Sequence, residues 1–156
     1  MDPTTKSRFM TGQRLTLAAL AAALLLAACF NDPDDRATRR FMYTGRDSTG
    51  SAVVTGTLTL LFWNMDFPTE ILGSWKFDRV GDGEVGPQAG AGDLHGTVDA
   101  EGNFQINLNP AIADQNVFLT GRFEADMRYL KDFQGRWRYE TLSGTRSAGS
   151  FKAAVK

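Results

Sequence analysis

The chain has 156 residues, with 17 Lys and Arg, 18 Asp and Glu, one histidine and one cysteine. This length suits one domain rather than two, and the near-neutral charge offers no basic surface for nucleic acid. A single cysteine excludes an internal disulfide, and a single histidine excludes a multi-histidine metal site.

The first 28 residues have the zones of an export signal. Lys6, Arg8 and Arg14 give a positively charged start, and residues 15–28 follow without a charge. Such a run makes a helix of roughly 21 Å, shorter than the roughly 30 Å hydrocarbon core of a bilayer. We therefore predict a signal peptide at 1–28 rather than a membrane-spanning helix.

The apolar run ends in Leu26-Ala27-Ala28-Cys29. This motif resembles the lipobox of bacterial lipoproteins. The resemblance implies cleavage before Cys29, lipidation of its sulfur by diacylglycerol and often a further acyl chain, such as palmitate, on the new amino group. Each buried methylene contributes about 0.8 kcal/mol, so two or three acyl chains hold a domain on a bilayer. The alternative is an ordinary secreted protein in which Cys29 has no such role.

Residues 29–38 are predicted to be a solvated tether, because Asn31–Arg36 is polar, charged and interrupted by Pro33. From Cys29 to the end, the chain carries 14 basic and 17 acidic residues, a formal net charge of −3. In the Gram-negative lipoproteins that this motif resembles, an aspartate directly after the lipidated cysteine retains the protein at the inner membrane. This chain has Phe30 at that position. The resemblance implies attachment to the outer membrane, facing the periplasm, with another cell-envelope membrane as the alternative.

From residue 39 onward, apolar and polar residues alternate. In Phe133–Glu140 every odd position is apolar or glycine and every even position is polar, which is typical of a half-buried strand. Asp47–Gly50 and Asp99–Gly102 have turn sequences between runs that look paired as hairpins. The domain 39–156 is therefore predicted to be all-β. Its predicted strands are 39–47, 51–63, 70–80, 92–100, 103–109, 116–126, 132–142 and 145–155.

A glycine stands two places before a hydrophobic residue in almost every predicted strand, as in Gly56-Thr57-Leu58 and Gly135-Arg136-Trp137. Positions i and i+2 share a face, so each glycine lies beside a large side chain on the inner wall. Glycine weakens a strand, and its repetition at one register indicates the sharp coiling of a sheet that closes on itself. We predict an eight-stranded antiparallel up-and-down barrel, with an open β-sandwich as the alternative.

The repeated Gly-x-aromatic strands resemble the calycin group, which includes the avidins and lipocalins. Leu119-Thr120-Gly121-Arg122-Phe123 is similar to a strand of bacterial avidins, and Gly-Ser-Trp and the terminal Gly-Ser-Phe-Lys-Ala resemble short uncharacterised bacterial lipoproteins with such barrels. The resemblance implies a calycin-like barrel. Biotin binding is not carried over, because the polar cluster and the tryptophans of an avidin-type site cannot be placed residue by residue in this chain.

The sequence shows no residue pattern that favours an enzymatic function. His95 has the outward register between Leu94 and Gly96, which favours a surface histidine over a catalytic base or a metal ligand. The remaining option is a carboxylate pair in or beside the glycine-rich loop 81–92, whose composition suggests mobility rather than a positioned acid and base. The candidate carboxylates are Asp78, Asp82, Glu84 and Asp93. We predict no catalytic residue, no metal and no cofactor.

Alternate positions of the predicted strands face the interior. Phe118 is out of phase with Phe123, so placing both inside implies a bulge near them. The predicted inward residues are Tyr43, Leu58, Leu60, Phe62, Trp75, Phe77, Leu94, Val98, Phe104, Ile106, Leu108, Phe118, Phe123, Trp137, Tyr139 and Phe151.

An eight-stranded barrel either just fills with side chains or encloses one small ligand. In the second case Trp75, Phe77, Trp137 and Tyr139 are the candidate lining of a small apolar pocket. Two functions follow. One is a periplasm-facing lipoprotein that binds a small hydrophobic molecule or lipid in the barrel mouth. The other is a structural or interaction lipoprotein with a filled barrel, whose protein partners the sequence leaves open.

Overall fold

The computed structural model describes residues 37–124 and 127–155. These residues form eight strands, with short 3-10 turns at Gly86–Gln88 and Met127–Tyr129. The strands are β1 Ala37–Arg46, β2 Ala52–Phe62, β3 Thr69–Arg79, β4 Gly90–Val98, β5 Asn103–Asn107, β6 Asn116–Arg122, β7 Asp132–Thr141 and β8 Gly144–Val155.

Each strand pairs antiparallel with the next, and β1 pairs with β8, so the sheet is a closed up-and-down barrel. This confirms the predicted all-β, eight-stranded architecture and excludes the open sandwich. The fold is consistent with a calycin-like barrel. The predicted signal peptide, 1–28, and Cys29 lie outside the described residues, and β1 begins two residues before the predicted domain boundary.

We name the end of the barrel at which the chain enters β1 the N-terminal end, and the opposite end the distal end. The N-terminal end holds the start of β1, the end of β8 and the connections 63–68, 99–102 and 123–131. The distal end holds the connections 47–51, 80–89, 108–115 and 142–143.

Inner-wall glycines let aromatic rings from next-nearest strands meet. Gly56 of β2 is paired with Tyr43 of β1 on one side and with Phe77 of β3 on the other. The Tyr43 and Phe77 rings stack, with centroids 4.3 Å apart and planes 9° apart. A Cβ on Gly56 would overlap the carbonyl oxygen of Lys76 on β3. Glycine is therefore a steric requirement at this point of the wall.

The same arrangement recurs on the strands β5 to β8. Gly121 and Gly135 are paired with each other, and they lie between Phe104 of β5 and Phe151 of β8. The Phe104 and Phe151 centroids are 6.3 Å apart, and Phe133 packs edge-on against both, at 5.5 and 5.7 Å. Such aromatic pairs each contribute about 0.5–1.5 kcal/mol beyond the burial of their area.

The register of β6 differs from the prediction. Val117 and Leu119 are fully buried, whereas Phe118 faces outward under the guanidinium of Arg138, whose carbon lies 5.2 Å from the ring centroid. Placing Phe118 inside with a bulge nearby was wrong, because one unbroken alternation runs from Val117 through Leu119 to Phe123. The register shifts of the described pairs lie at Gly45/Arg46 and Tyr139/Glu140.

The two predicted Asp-x-x-Gly turns are confirmed, and each is organised by its aspartate. Oδ1 of Asp99 accepts hydrogen bonds from the backbone N–H of Glu101 at 3.0 Å and of Asn103 at 2.8 Å. Oδ1 of Asp47 accepts the equivalent hydrogen bonds from the backbone N–H groups of Thr49 and Ser51. The Asn103 side chain also donates to Oδ2 of Asp99, and this bond is the main cause that lowers the pKa of Asp99 below 3.8.

Gly149→Ala should destabilise the barrel. Its Cβ would overlap the Arg46 carbonyl oxygen and lie 2.7 Å from Nε1 of Trp137, which donates to that oxygen at 2.8 Å. Overpacking of this kind costs about 1–3 kcal/mol. Urea unfolding followed by circular dichroism measures the loss. The neighbouring Ser150→Ala, which changes an exposed outward residue, should stay within about 0.5 kcal/mol. Equal stability of the two variants would contradict the close approach of β1, β7 and β8.

Asp99→Asn should change how stability depends on pH. Because the folded pKa of Asp99 is lowered, its carboxylate stabilises the fold above pH 3.8, and this contribution disappears as pH falls through the folded pKa. Wild type should therefore be the more stable protein at pH 7, and the difference should vanish in acid. Unfolding midpoints between pH 7 and pH 2 test this expectation. Asn103→Ala, which keeps the carboxylate, should remove part of the same pH dependence. Parallel pH profiles of wild type and Asp99→Asn would contradict it.

Candidate functional site

The four predicted lining residues belong to the distal halves of β3 and β7 and pack in or against the barrel core. Phe77 is fully buried, with its ring between that of Tyr43 and that of Trp75, whose centroid is 5.2 Å away. Trp137 is also buried, and Tyr139, two residues further along β7, is half-buried against the core. All four side chains are thus on the inward register, and Trp75 and Phe77 are in contact.

The indole nitrogens of both tryptophans have partners within the protein. Nε1 of Trp75 donates to the backbone oxygen of Leu108 in the β5–β6 connection. Nε1 of Trp137 donates to the backbone oxygen of Arg46, at the end of β1. Both donors are thus used to fix connections of the distal end.

The β3–β4 connection closes the distal end. Val85 and Gln88 are buried there, at 2% and 0% exposure. The Gln88 amide donates to the Val85 backbone oxygen at 3.0 Å and accepts a bond from the Tyr43 hydroxyl at 3.3 Å. Burial raises the pKa of Tyr43, so its phenol remains a neutral donor. Gly86 packs directly against the face of the Tyr139 ring. This loop therefore contributes buried contacts that its composition did not predict.

The β6–β7 connection closes the N-terminal end. Met127 and Leu130 are buried within it, at 0% and 2% exposure. Phe67 of the β2–β3 connection stacks on Phe123, with ring centroids 6.3 Å apart. Arg39, on the inward register of β1, donates to the backbone oxygen of residue 128. Side chains from three parts of the chain thus cover this end.

A cleft of about 680 Å³ lies outside the barrel wall at the N-terminal end. It is formed by the last residues of β6, the first residues of β7, part of β8 and the β6–β7 connection. We call it the lateral cleft. Its lining residues are Arg122, Glu124, Tyr129, Lys131, Asp132, Phe133, Gln134 and Lys152. None of these residues was predicted as a site residue from the sequence, although basic, acidic and aromatic residues lie close together between residues 122 and 134.

The lateral cleft mixes both signs of charge. Among the described residues, three cationic side chains and two carboxylates line it. Nζ of Lys152 lies 3.8 Å from Oδ2 of Asp132, and both side chains are more than half exposed. Tyr129, beside them, is 73% exposed. Hydrated charges around one exposed aromatic ring suit a polar or zwitterionic ligand better than an apolar one.

Other residues considered for chemistry lie apart from these features. His95 is exposed on the outer face of β4, as its register predicted. The four candidate carboxylates at residues 78, 82, 84 and 93 are all exposed. Within the described ranges, no three His, Cys, Asp or Glu side chains are grouped to hold a metal ion. In the same ranges, no helix has the length and apolar character to cross a bilayer.

Comparison with known proteins gives no relative: the chain matches no protein-family model, no curated protein and no solved structure. The function is therefore inferred from the sequence and the structure of this chain alone.

Proposed function

We propose that the protein is a membrane-anchored lipoprotein whose filled barrel serves as a non-catalytic interaction domain. The observation that carries this proposal is the closure of both barrel ends by buried side chains, Val85 and Gln88 at one end and Met127 and Leu130 at the other. A barrel that is occupied by its own side chains binds through its outer surface and its connections.

Membrane attachment is part of the same proposal and is supported by the sequence. The uncharged run 15–28 ends at the lone Cys29, the residue that would carry the acyl chains. Phe30 favours the outer membrane with the barrel facing the periplasm, and another cell-envelope membrane is the alternative address.

A second candidate function is the binding of a small hydrophobic molecule or lipid inside the barrel mouth. The inward register of Trp75, Phe77, Trp137 and Tyr139, with the first two rings 5.2 Å apart, favours it. Such a ligand would have to displace Val85 and Gln88 and replace the hydrogen bond between Gln88 and Tyr43. This displacement is why we prefer the filled barrel.

A dye titration separates the two functions. In a Trp63→Phe background only the interior Trp75 and Trp137 report, so lipid or detergent around the anchor contributes little signal. We expect a polarity-sensitive hydrophobic dye to leave their fluorescence unchanged, and organic extraction of the purified protein to release no stoichiometric ligand. Gln88→Ala in the same background serves as the positive comparison, because it opens space at the distal end. Saturable quenching of the interior tryptophans without that change would instead establish the ligand-binding function.

The anchor has its own test. Cys29→Ser should abolish incorporation of radiolabelled palmitate, because no other cysteine is present to accept diacylglycerol. Phe30→Ser, which keeps the cysteine, is the matched control and should still be labelled. Palmitate labelling of the Cys29→Ser protein would rule out the proposed anchor.

A further inference from the structure

The chain enters the barrel at the end that carries the lateral cleft. Residues 30–36 separate Cys29 from the start of β1 at Ala37, and the eight Cα–Cα steps between these two residues reach at most about 29 Å. Strands β2 and β3 have 11 residues each. At a tilt of about 40° such strands make a barrel about 28 Å long. An acyl anchor on Cys29 would therefore bring the N-terminal end to the bilayer, whereas the distal end would need the whole tether fully extended along the barrel wall.

The connections of this end expose two aromatic residues. Trp63 is 45% exposed in the β2–β3 connection, and Tyr129 is 73% exposed in the β6–β7 connection. The two connections are joined by the ion pair of Arg128 with Asp66, whose atoms are 3.1 Å apart. Tryptophan and tyrosine side chains favour the interface between lipid and water, because each ring has an apolar body and a polar edge that stays hydrated.

The distal end exposes apolar side chains of a different kind. Val80, Ile112 and Leu142 are 52%, 42% and 88% exposed there. All three are aliphatic, as is Val155, which is 47% exposed at the N-terminal end. Aliphatic side chains lack the polar edge that suits the headgroup layer, so the two aromatic residues are what distinguishes the N-terminal end. Single exposed aliphatic residues are ordinary on soluble surfaces and need no partner.

The lateral cleft provides polar groups for the same surface. Its cations, Arg122, Lys131 and Lys152, suit a phosphate, and its carboxylates, Glu124 and Asp132, suit an ammonium group. A zwitterionic phospholipid headgroup carries both charges within one small unit. Each exposed ion pair is weak by itself, but the anchor would keep the headgroups at a high effective concentration.

We propose that the N-terminal end docks on the bilayer that holds the anchor, with Trp63 and Tyr129 in the interface and a zwitterionic phospholipid headgroup in the lateral cleft. This inference rests on the membrane anchor of the proposed function. It adds an orientation: the barrel stands on the membrane, and its distal end faces away from it.

The three tryptophans allow a direct test with the full lipidated protein. It is reconstituted in phosphatidylethanolamine and phosphatidylcholine vesicles in which some headgroups carry a nitroxide quencher. Trp63 lies at the docking end, whereas Trp75 and Trp137 are buried in the distal half. We expect quenching in the wild type and loss of most of it in Trp63→Phe. Quenching that persists unchanged in Trp63→Phe would overturn the orientation.

Matched variants at the two ends distinguish docking from mere nearness to the bilayer. Tyr129→Ser should reduce the quenching of Trp63, whereas Leu142→Ser, at the distal end, should leave it unchanged. Reversing the charge of Lys131 and Lys152 together should also reduce it, whereas Lys76→Glu on β3 should not. Equal effects of the paired changes, or no effect of either, would overturn the proposal. An unchanged circular dichroism spectrum verifies that each variant is folded.

Flotation of the vesicles tests the membrane anchor separately from the docking of the N-terminal end. Protein that floats with the vesicles while Trp63 stays unquenched retains the anchor and refutes docking. Protein that does not float refutes the anchor, and the docking proposal fails with it.

Discussion

The barrel depends on the placement of glycine opposite large aromatic residues on its inner wall. Gly56 lies between Tyr43 and Phe77, whose rings come to 4.3 Å because the residue between them has no side chain. The strands approach so closely there that a Cβ would overlap a carbonyl oxygen of the neighbouring strand. Coiling of the sheet and filling of its interior are therefore two results of one sequence feature.

In the proposed function the interior is filled, and binding takes place on the outside of the barrel. Buried aromatic rings line the inner wall, and buried residues of the connections pack with them at both ends. Exposed aliphatic residues lie at both ends of the barrel, whereas the exposed aromatic residues Trp63 and Tyr129 lie at the N-terminal end, beside the lateral cleft. The proposed orientation on the membrane rests on this position of the exposed aromatic residues.

The architecture was predictable from sequence because it depends on local alternation and on a repeated glycine register. The eight strands, their closure and both Asp-x-x-Gly turns follow from period-two patterns and turn chemistry. Phe118 was misplaced because hydrophobicity alone does not tell which of two adjacent apolar residues faces inward. Burial of Gln88 and Met127 was not predictable, since it depends on how irregular connections fold over the barrel ends. The lateral cleft likewise combines residues from three strands.

The most direct test of this account is the proximity of the paired rings in solution. Selective labelling of tyrosine and phenylalanine rings allows nuclear Overhauser contacts to be measured by nuclear magnetic resonance. The account predicts contacts between the ring protons of Tyr43 and Phe77, with upfield shifts that reflect their stacking. Absence of those contacts in the folded protein would mean that the rings do not meet over Gly56, and would contradict the filled barrel.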